Sequence, residues 1–202
     1  MSAILFFDTE TNGLPNFRAP NNDRSQPHIV QIAAMICDES GNVKSTLNTL
    51  ISRDNWIIGE ELQAIHGISN EDCDKFGMPI EIAMLALMDM RDSCGIGVAH
   101  NISFDNRMLE IEACRRAQNW DSGQIFWECT AAMTTPICRM PPTAKMLAAG
   151  FDKFKMPKLI EAHQHLFGED FDKAHDAMAD VMACKRIYFE CKRLAQQTTE
   201  PK

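Results

Sequence analysis

Apolar and polar positions along this chain separate a strand-rich beginning from a helix-rich remainder. The run Ala3-Ile4-Leu5-Phe6-Phe7 predicts a buried first strand, which stops where Asn12-Gly13-Leu14-Pro15 turns away. From Pro15 to Asp23 the chain is polar, rich in turn formers and without a period, so it reads as a surface loop. His28 to Cys37 holds an apolar block, Glu39-Ser40-Gly41-Asn42 makes a turn, and Val43 to Ile51 resumes with alternation; together they predict a hairpin. Helical spacing follows at Glu60 to Ile65, Asn70 to Phe76 and Pro79 to Arg91, with Pro79 suited to a first helical turn. Gly95 to Ala99 reads as a short buried strand, and Ser103 is placed to cap a helix running to about Ala117. A second short strand is expected near Ile125 to Cys129, and the remainder reads as helix with a loop around Pro141-Pro142. The last helix carries the stripe Ala177, Val181, Cys184, Tyr188, Cys191 and Ala195. The fold class is therefore α/β, a mixed central sheet whose first three strands are antiparallel, flanked by helices.

Composition narrows the function classes. With 202 residues, 45% hydrophobic and 24% charged, the chain suits one domain over residues 1–202 and is neither disordered nor fibrous. Nothing in it reads as a membrane span. Met1-Ser2-Ala3 runs straight into the first strand without the basic region and cleavage site of a secretory signal, so a cytoplasmic location is expected. Eight cysteines, scattered without any Cys-x-x-Cys pair, read as buried thiols, and thirteen methionines as flexible core filler. The net charge of −8 argues against a broad nonspecific grip on duplex nucleic acid. Carboxylates that hold metal contribute to that excess, and bound cations would reverse the local sign.

The candidate chemistry begins at Asp8-Thr9-Glu10, where the first strand ends. Side chains alternate across a strand, so Asp8 and Glu10 share a face and can share a cation, with Thr9 turned the other way. Acidic residues also end strands simply to meet solvent, so the pair needs company. Asp105 falls in the first turn after the Gly95–Ala99 strand and shares the helix side marked by Met108 and Leu109, which points it inward. Complementing the helix dipole explains an acid there as well. Asp180 lies on the edge of the C-terminal stripe, three residues after Ala177 and four before Cys184, where a carboxylate needs a cation or several donors. His175 cannot share that direction from the same helix, because five residues rotate it by roughly 140°. It belongs on the incoming loop, with Asp176 as the cap, free to take a proton from water; a loop histidine is otherwise an ordinary surface residue. Four acids from three segments and one histidine make a two-metal phosphodiester site, and oxygen ligands call for two Mg²⁺ or Mn²⁺ ions.

The order Asp-x-Glu, His-Asn-x-x-Phe-Asp and His-x-Ala-x-x-Asp resembles the DEDDh family of 3′ to 5′ exonucleases, over roughly Ile4 to Tyr188. The resemblance implies a ribonuclease H-like fold, Asp8, Glu10, Asp105 and Asp180 as metal ligands, and His175 as general base. It also implies substrate contacts at Thr9, Thr11, Gly13, Leu14, His66, Asn101 and Phe104. Leu14 would wedge against a base, though core packing explains a leucine equally well, and His66 and Phe104 have structural readings too. Asn12 departs from the family pattern, where many relatives carry a second threonine. Lys145, Lys153, Lys155 and Lys158 are either a guide for a single strand or a solvated face. The activity implied is release of nucleoside 5′-monophosphates from 3′ ends of single-stranded nucleic acid, with DNA favoured over RNA. Trimming of RNA or short oligoribonucleotides is the alternative, and a non-cutting nucleic-acid-binding module a third. Proofreading or DNA repair would be the setting, and a replicative role would require a polymerase partner. Oligomeric state is not legible.

Overall fold

Strand β1, Ile4–Thr11, is apolar on both faces, and the fold gives both faces something to cover. The computed structural model describes residues 3–120, 125–169, 171 and 175–199. In it β1 is the middle of a five-stranded sheet of order β3-β2-β1-β4-β5, with β2 at Ile29–Cys37, β3 at Val43–Leu50, β4 at Ile96–Ala99 and β5 at Phe126–Cys129. The first three strands are antiparallel, and β4 and β5 run parallel to β1. Leu5 and Phe7 project into a large core shared with Met84, Leu87, Met108 and Leu109. Ile4 and Phe6 project the other way, against Val181, Cys184 and Tyr188. Burying each such side chain is worth about 1.5–3 kcal/mol, so the period-two pattern of β1 fixes which helices lie on which face.

The first face is covered by α3, Ile80–Asp92, and α4, Ile102–Arg115; the second by α8, Ala177–Thr199. Shorter helices are α1 at Glu60–His66, α2 at Asn70–Phe76, α5 at Thr130–Cys138, α6 at Ala144–Ala148 and α7 at Leu159–Phe167. Because β1 and β4 are parallel, the outgoing end of each opens on one rim, which receives Asp8 and Glu10 from β1 and the start of α4 from β4. Gln31, opposite Glu10 in the β1–β2 register, accepts from the Ala177 amide at 3.3 Å and so ties the start of α8 to the same rim. Gly97 is required by packing, since a Cβ there would lie 2.3 Å from the Trp127 ring. Buried Glu112 fastens α4 by accepting from Arg115 at 2.9 Å, Arg116 at 2.5 Å and the Ile29 amide at 3.3 Å.

Several boundaries differ from the sequence expectations. Ser103 does not cap α4: Asn101 occupies that position in a left-handed conformation, φ 62°, and Ser103 donates to its Oδ1 at 3.2 Å. Pro79 precedes α3 instead of lying in its first turn. The stretch after β5 is not helix apart from the Pro141-Pro142 loop, because residues 149–158 also form a loop between α6 and α7. The stripe of α8 is buried as far as Cys191, while Ala195 is exposed. All eight cysteines are free thiols, five of them buried; Cys114 is exposed. Among the described residues no helix is long and apolar enough to cross a membrane.

Candidate active site

Asp8 and Glu10 leave β1 on the α8 face, and Asp180 meets them from the first turn of that helix. Asp176 caps α8 as expected, accepting from the Ala179 amide at 3.0 Å. His175 precedes the helix with φ 72° and an exposed ring, and its amide donates to Asp180 Oδ1 at 3.4 Å. Ligand atoms of Glu10, His175 and Asp180 lie within 4.8 Å of one another. Asp105 comes round the rim from α4, on the opposite face of the sheet, and is 2% exposed. All five residues therefore meet at one place.

Thr9 explains how a carboxylate from the far face is held there. Its side chain points toward α4, and both its amide, at 3.0 Å, and its hydroxyl, at 2.9 Å, donate to Asp105 Oδ1. Thr11 is also turned inward, donating to the Gly13 carbonyl at 2.8 Å. Expected at the substrate, these threonines spend their hydroxyls on the site's own framework. A contact spanning 96 positions leaves no local signal in the sequence.

The electrostatics are those of crowded like charge. Burial and then the neighbouring Asp105, Asp180, Glu10 and Asp176 hold the Asp8 carboxyl well above the usual range. Burial, then Asp180, Asp105 and Asp176, push Glu10 up to about 8. Asp105 rises to about 7 through burial, opposed by the two Thr9 donors. Asp180 rises to about 7 through burial, opposed by the His175 amide and aided by Asp176. Among the described residues no lysine or arginine pairs with any of the four. Carboxylate oxygens in this number, desolvated and mutually repelling, fit hard divalent cations that prefer oxygen donors. Asp176 is the added member; its capping role was legible, its charge on the cluster was not.

Around this centre Leu14 is 84% exposed on the turn after β1, next to the half-buried Gly13. Asn12 fixes that turn, accepting from the His28 amide at 2.6 Å and donating to the Ile57 carbonyl at 3.1 Å. His66, at the end of α1, accepts from the Ile68 amide through Nδ1 at 3.1 Å, so its proton sits on Nε2. That buried nitrogen has no partner among the described residues. Burial and nearby His175 lower the His66 pKa, which keeps the ring neutral. Asn101 is exposed at the head of α4, and Phe104 is half-buried against the large core. Of the four lysines, Lys155 is held by both Glu161 oxygens at 2.7 Å, and the other three are exposed.

A family described as exonuclease, of the RNase T type, matches residues 5–188. Among solved structures, Escherichia coli exonuclease I in complex with a dA16 oligonucleotide superposes with a TM-score of 0.68 at 19% identity, over 96% of this chain and 41% of that one. Its zinc-bound single-stranded DNA complex gives a TM-score of 0.69 at 17% identity, over 97% and 41%. The nuclease domain of 3′hExo, a DEDDh family member bound to rAMP, gives 0.70 at 14% identity, over 100% and 95%. The chain thus spans about two fifths of the exonuclease I chains it matches. None of the curated proteins matches it significantly. The mixed sheet and its helices have the ribonuclease H-like arrangement of these nucleases.

Proposed function

We propose, on the premise that this chain belongs to the DEDDh family of 3′ to 5′ exonucleases, that it removes nucleoside 5′-monophosphates from the 3′ ends of single-stranded DNA. The observation that carries this reading is the meeting of Asp8, Glu10, Asp105, Asp180 and His175 at one rim, with the acids raised by burial and, after it, by neighbouring carboxylates. Those four carboxylates would hold two Mg²⁺ or Mn²⁺ ions, which when bound supply Lewis-acid activation of water and charge relief on the leaving oxygen. The chain's own groups do the rest. His175, exposed on its loop beside Glu10 and Asp180, takes the proton of the attacking water as a bond forms to phosphorus and the bond to the 3′ oxygen breaks. The Nε2–H of His66 donates to the terminal nucleotide, an acceptor it lacks among the described residues. Leu14 packs on the terminal base, with Gly13, Asn101 and Phe104 bordering the same place. Thr9 acts through Asp105, and Thr11 through the turn at Gly13.

The DNA preference follows the deoxyoligonucleotides carried by the exonuclease I neighbours. The neighbour that carries rAMP supports a second reading, an exoribonuclease. Matched, 5′-labelled DNA and RNA strands incubated with Mg²⁺ or Mn²⁺ separate the two. DNA shortened one nucleotide at a time, faster than RNA, is expected; faster loss of RNA would establish the second reading. If wild-type protein leaves both strands intact and behaves like Asp8→Ala, neither hydrolytic reading stands.

A further inference from the structure

Between α5 and α7, residues 139–158 hold five cations, Arg139, Lys145, Lys153, Lys155 and Lys158, against one carboxylate, Asp152, in a chain of net charge −8. Lys155 is occupied by Glu161, but Lys153 and Lys158 are exposed. Exposed alongside them are Phe151 at 64%, Phe154 at 48% and Met156 at 51%. Lys153 and Phe154 line one surface pocket with Thr135 and Pro136, and Met156 and Lys158 line another with His100 and Asn101; large apolar side chains left exposed along one segment mark a place that something covers. In Phe151-Asp152-Lys153-Phe154-Lys155-Met156-Pro157-Lys158 they alternate with cations, which offers flat faces to bases and charge to phosphates. An apolar protein partner has no need of that alternation.

The segment is joined to the acid cluster through His100. Its Nε2 lies 3.0 Å from the Pro157 carbonyl, which can only accept, so that nitrogen donates, and Nδ1 accepts from the Thr130 hydroxyl at 2.9 Å. His100 and Asn101 are the turn from β4 into α4, whose first turn carries Asp105. A pocket of about 290 Å³ between His100, Asn101, Met156, Pro157 and Lys158 continues from that rim onto the segment. We propose that residues 151–158, pinned by His100, form a track that stacks bases and pairs phosphates of single-stranded DNA on the 5′ side of the terminal nucleotide. The track rests on the exonuclease reading above, and the consequence it predicts for that site is tighter binding of longer strands.

The test uses the full chain with two double variants, Phe151→Ala with Phe154→Ala and Lys153→Glu with Lys158→Glu. Hydrolysis of a dinucleotide and of a strand of about 12 nucleotides is compared, and anisotropy of the longer strand is read in EDTA, where binding is scored without cleavage. Each variant should raise the KM and Kd of the long strand about ten-fold and leave dinucleotide hydrolysis within about two-fold. The charge variant should also flatten the salt dependence of binding by about 1.4 log units per log unit of salt. Unchanged long-strand binding, equal losses on both substrates, or a loss confined to matched RNA would overturn the track. Wild type that binds the strand but hydrolyses neither substrate would instead reject the exonuclease reading, and the anisotropy would still decide the track.

Discussion

Asp8 lies against four other carboxylates with little water to screen them, so its charge serves a ligand and opposes the fold. Asp8→Asn removes that charge at nearly constant shape. In the absence of divalent cations at pH 8 it should raise Tm by about 2–4 °C, while nuclease activity is lost. A lower Tm for the variant under those conditions would mean that Asp8 is held by partners other than repelling acids. His175 is the complementary case, exposed and outside the core. His175→Ala should leave Tm unchanged and lower kcat by about 10²–10⁴-fold in single-turnover assays. These residues were legible because each carries a local rule: alternation for Asp8 and Glu10, helix-face spacing for Asp105 and Asp180, and a wrong helical angle for His175. The hold of Thr9 on Asp105 and the unpartnered nitrogen of His66 were not legible, although the family resemblance named His66 as a substrate contact. A hydroxyl bonded to a carboxylate 96 positions away, and an imidazole nitrogen left without a partner, exist only once the chain is folded.

Helix α4 carries Asp105 at its first turn and is fastened at its last by Glu112, which is 1% exposed. That carboxylate serves Arg115, Arg116, His28 and the Ile29 amide, so its removal takes a partner from a buried amide and from three half-buried side chains on two segments. Glu112→Ala should cost about 3–5 kcal/mol in denaturant unfolding. A cost below about 1 kcal/mol would show that the surrounding arginines reach water when released. At this scale the strands of the sheet and the helices with a clean apolar period were readable. Elements set by side-chain to backbone bonds were not. Asn101 took the head of α4 from Ser103 by adopting positive φ, a choice no period encodes. The polar loop after β1 is organised by buried Gln26, whose amide donates to the Asn16 carbonyl at 2.9 Å and the Pro20 carbonyl at 3.2 Å. The loop at 149–158 had enough apolar residues to pass for helix, because exposed and buried aromatics look alike in a sequence.

For the whole molecule, the raised carboxylates couple folding to pH and to metal. Unfolded Asp and Glu lose their protons near pH 4, whereas folded Asp105 and Asp180 keep theirs to about 7 and Glu10 to about 8. Below pH 4 both states are protonated and the cluster costs nothing. Between pH 4 and about 8 the folded state binds more protons than the unfolded one, so stability falls as pH rises, and the decline ends once the folded groups have ionised. Metal-free protein should therefore show its higher Tm near pH 5 and its lower Tm near pH 8. Cations compete with protons for the same oxygens and bind only the folded arrangement, so added Mg²⁺ should raise Tm more at pH 8 than at pH 5. Asp8→Asn should flatten the metal-free profile and shrink the Mg²⁺ shift together, because both arise from the same buried, crowded charge. A metal-free Tm that climbs from pH 5 to pH 8, or a Mg²⁺ shift independent of pH, would mean that these acids are not gathered as charged neighbours in solution.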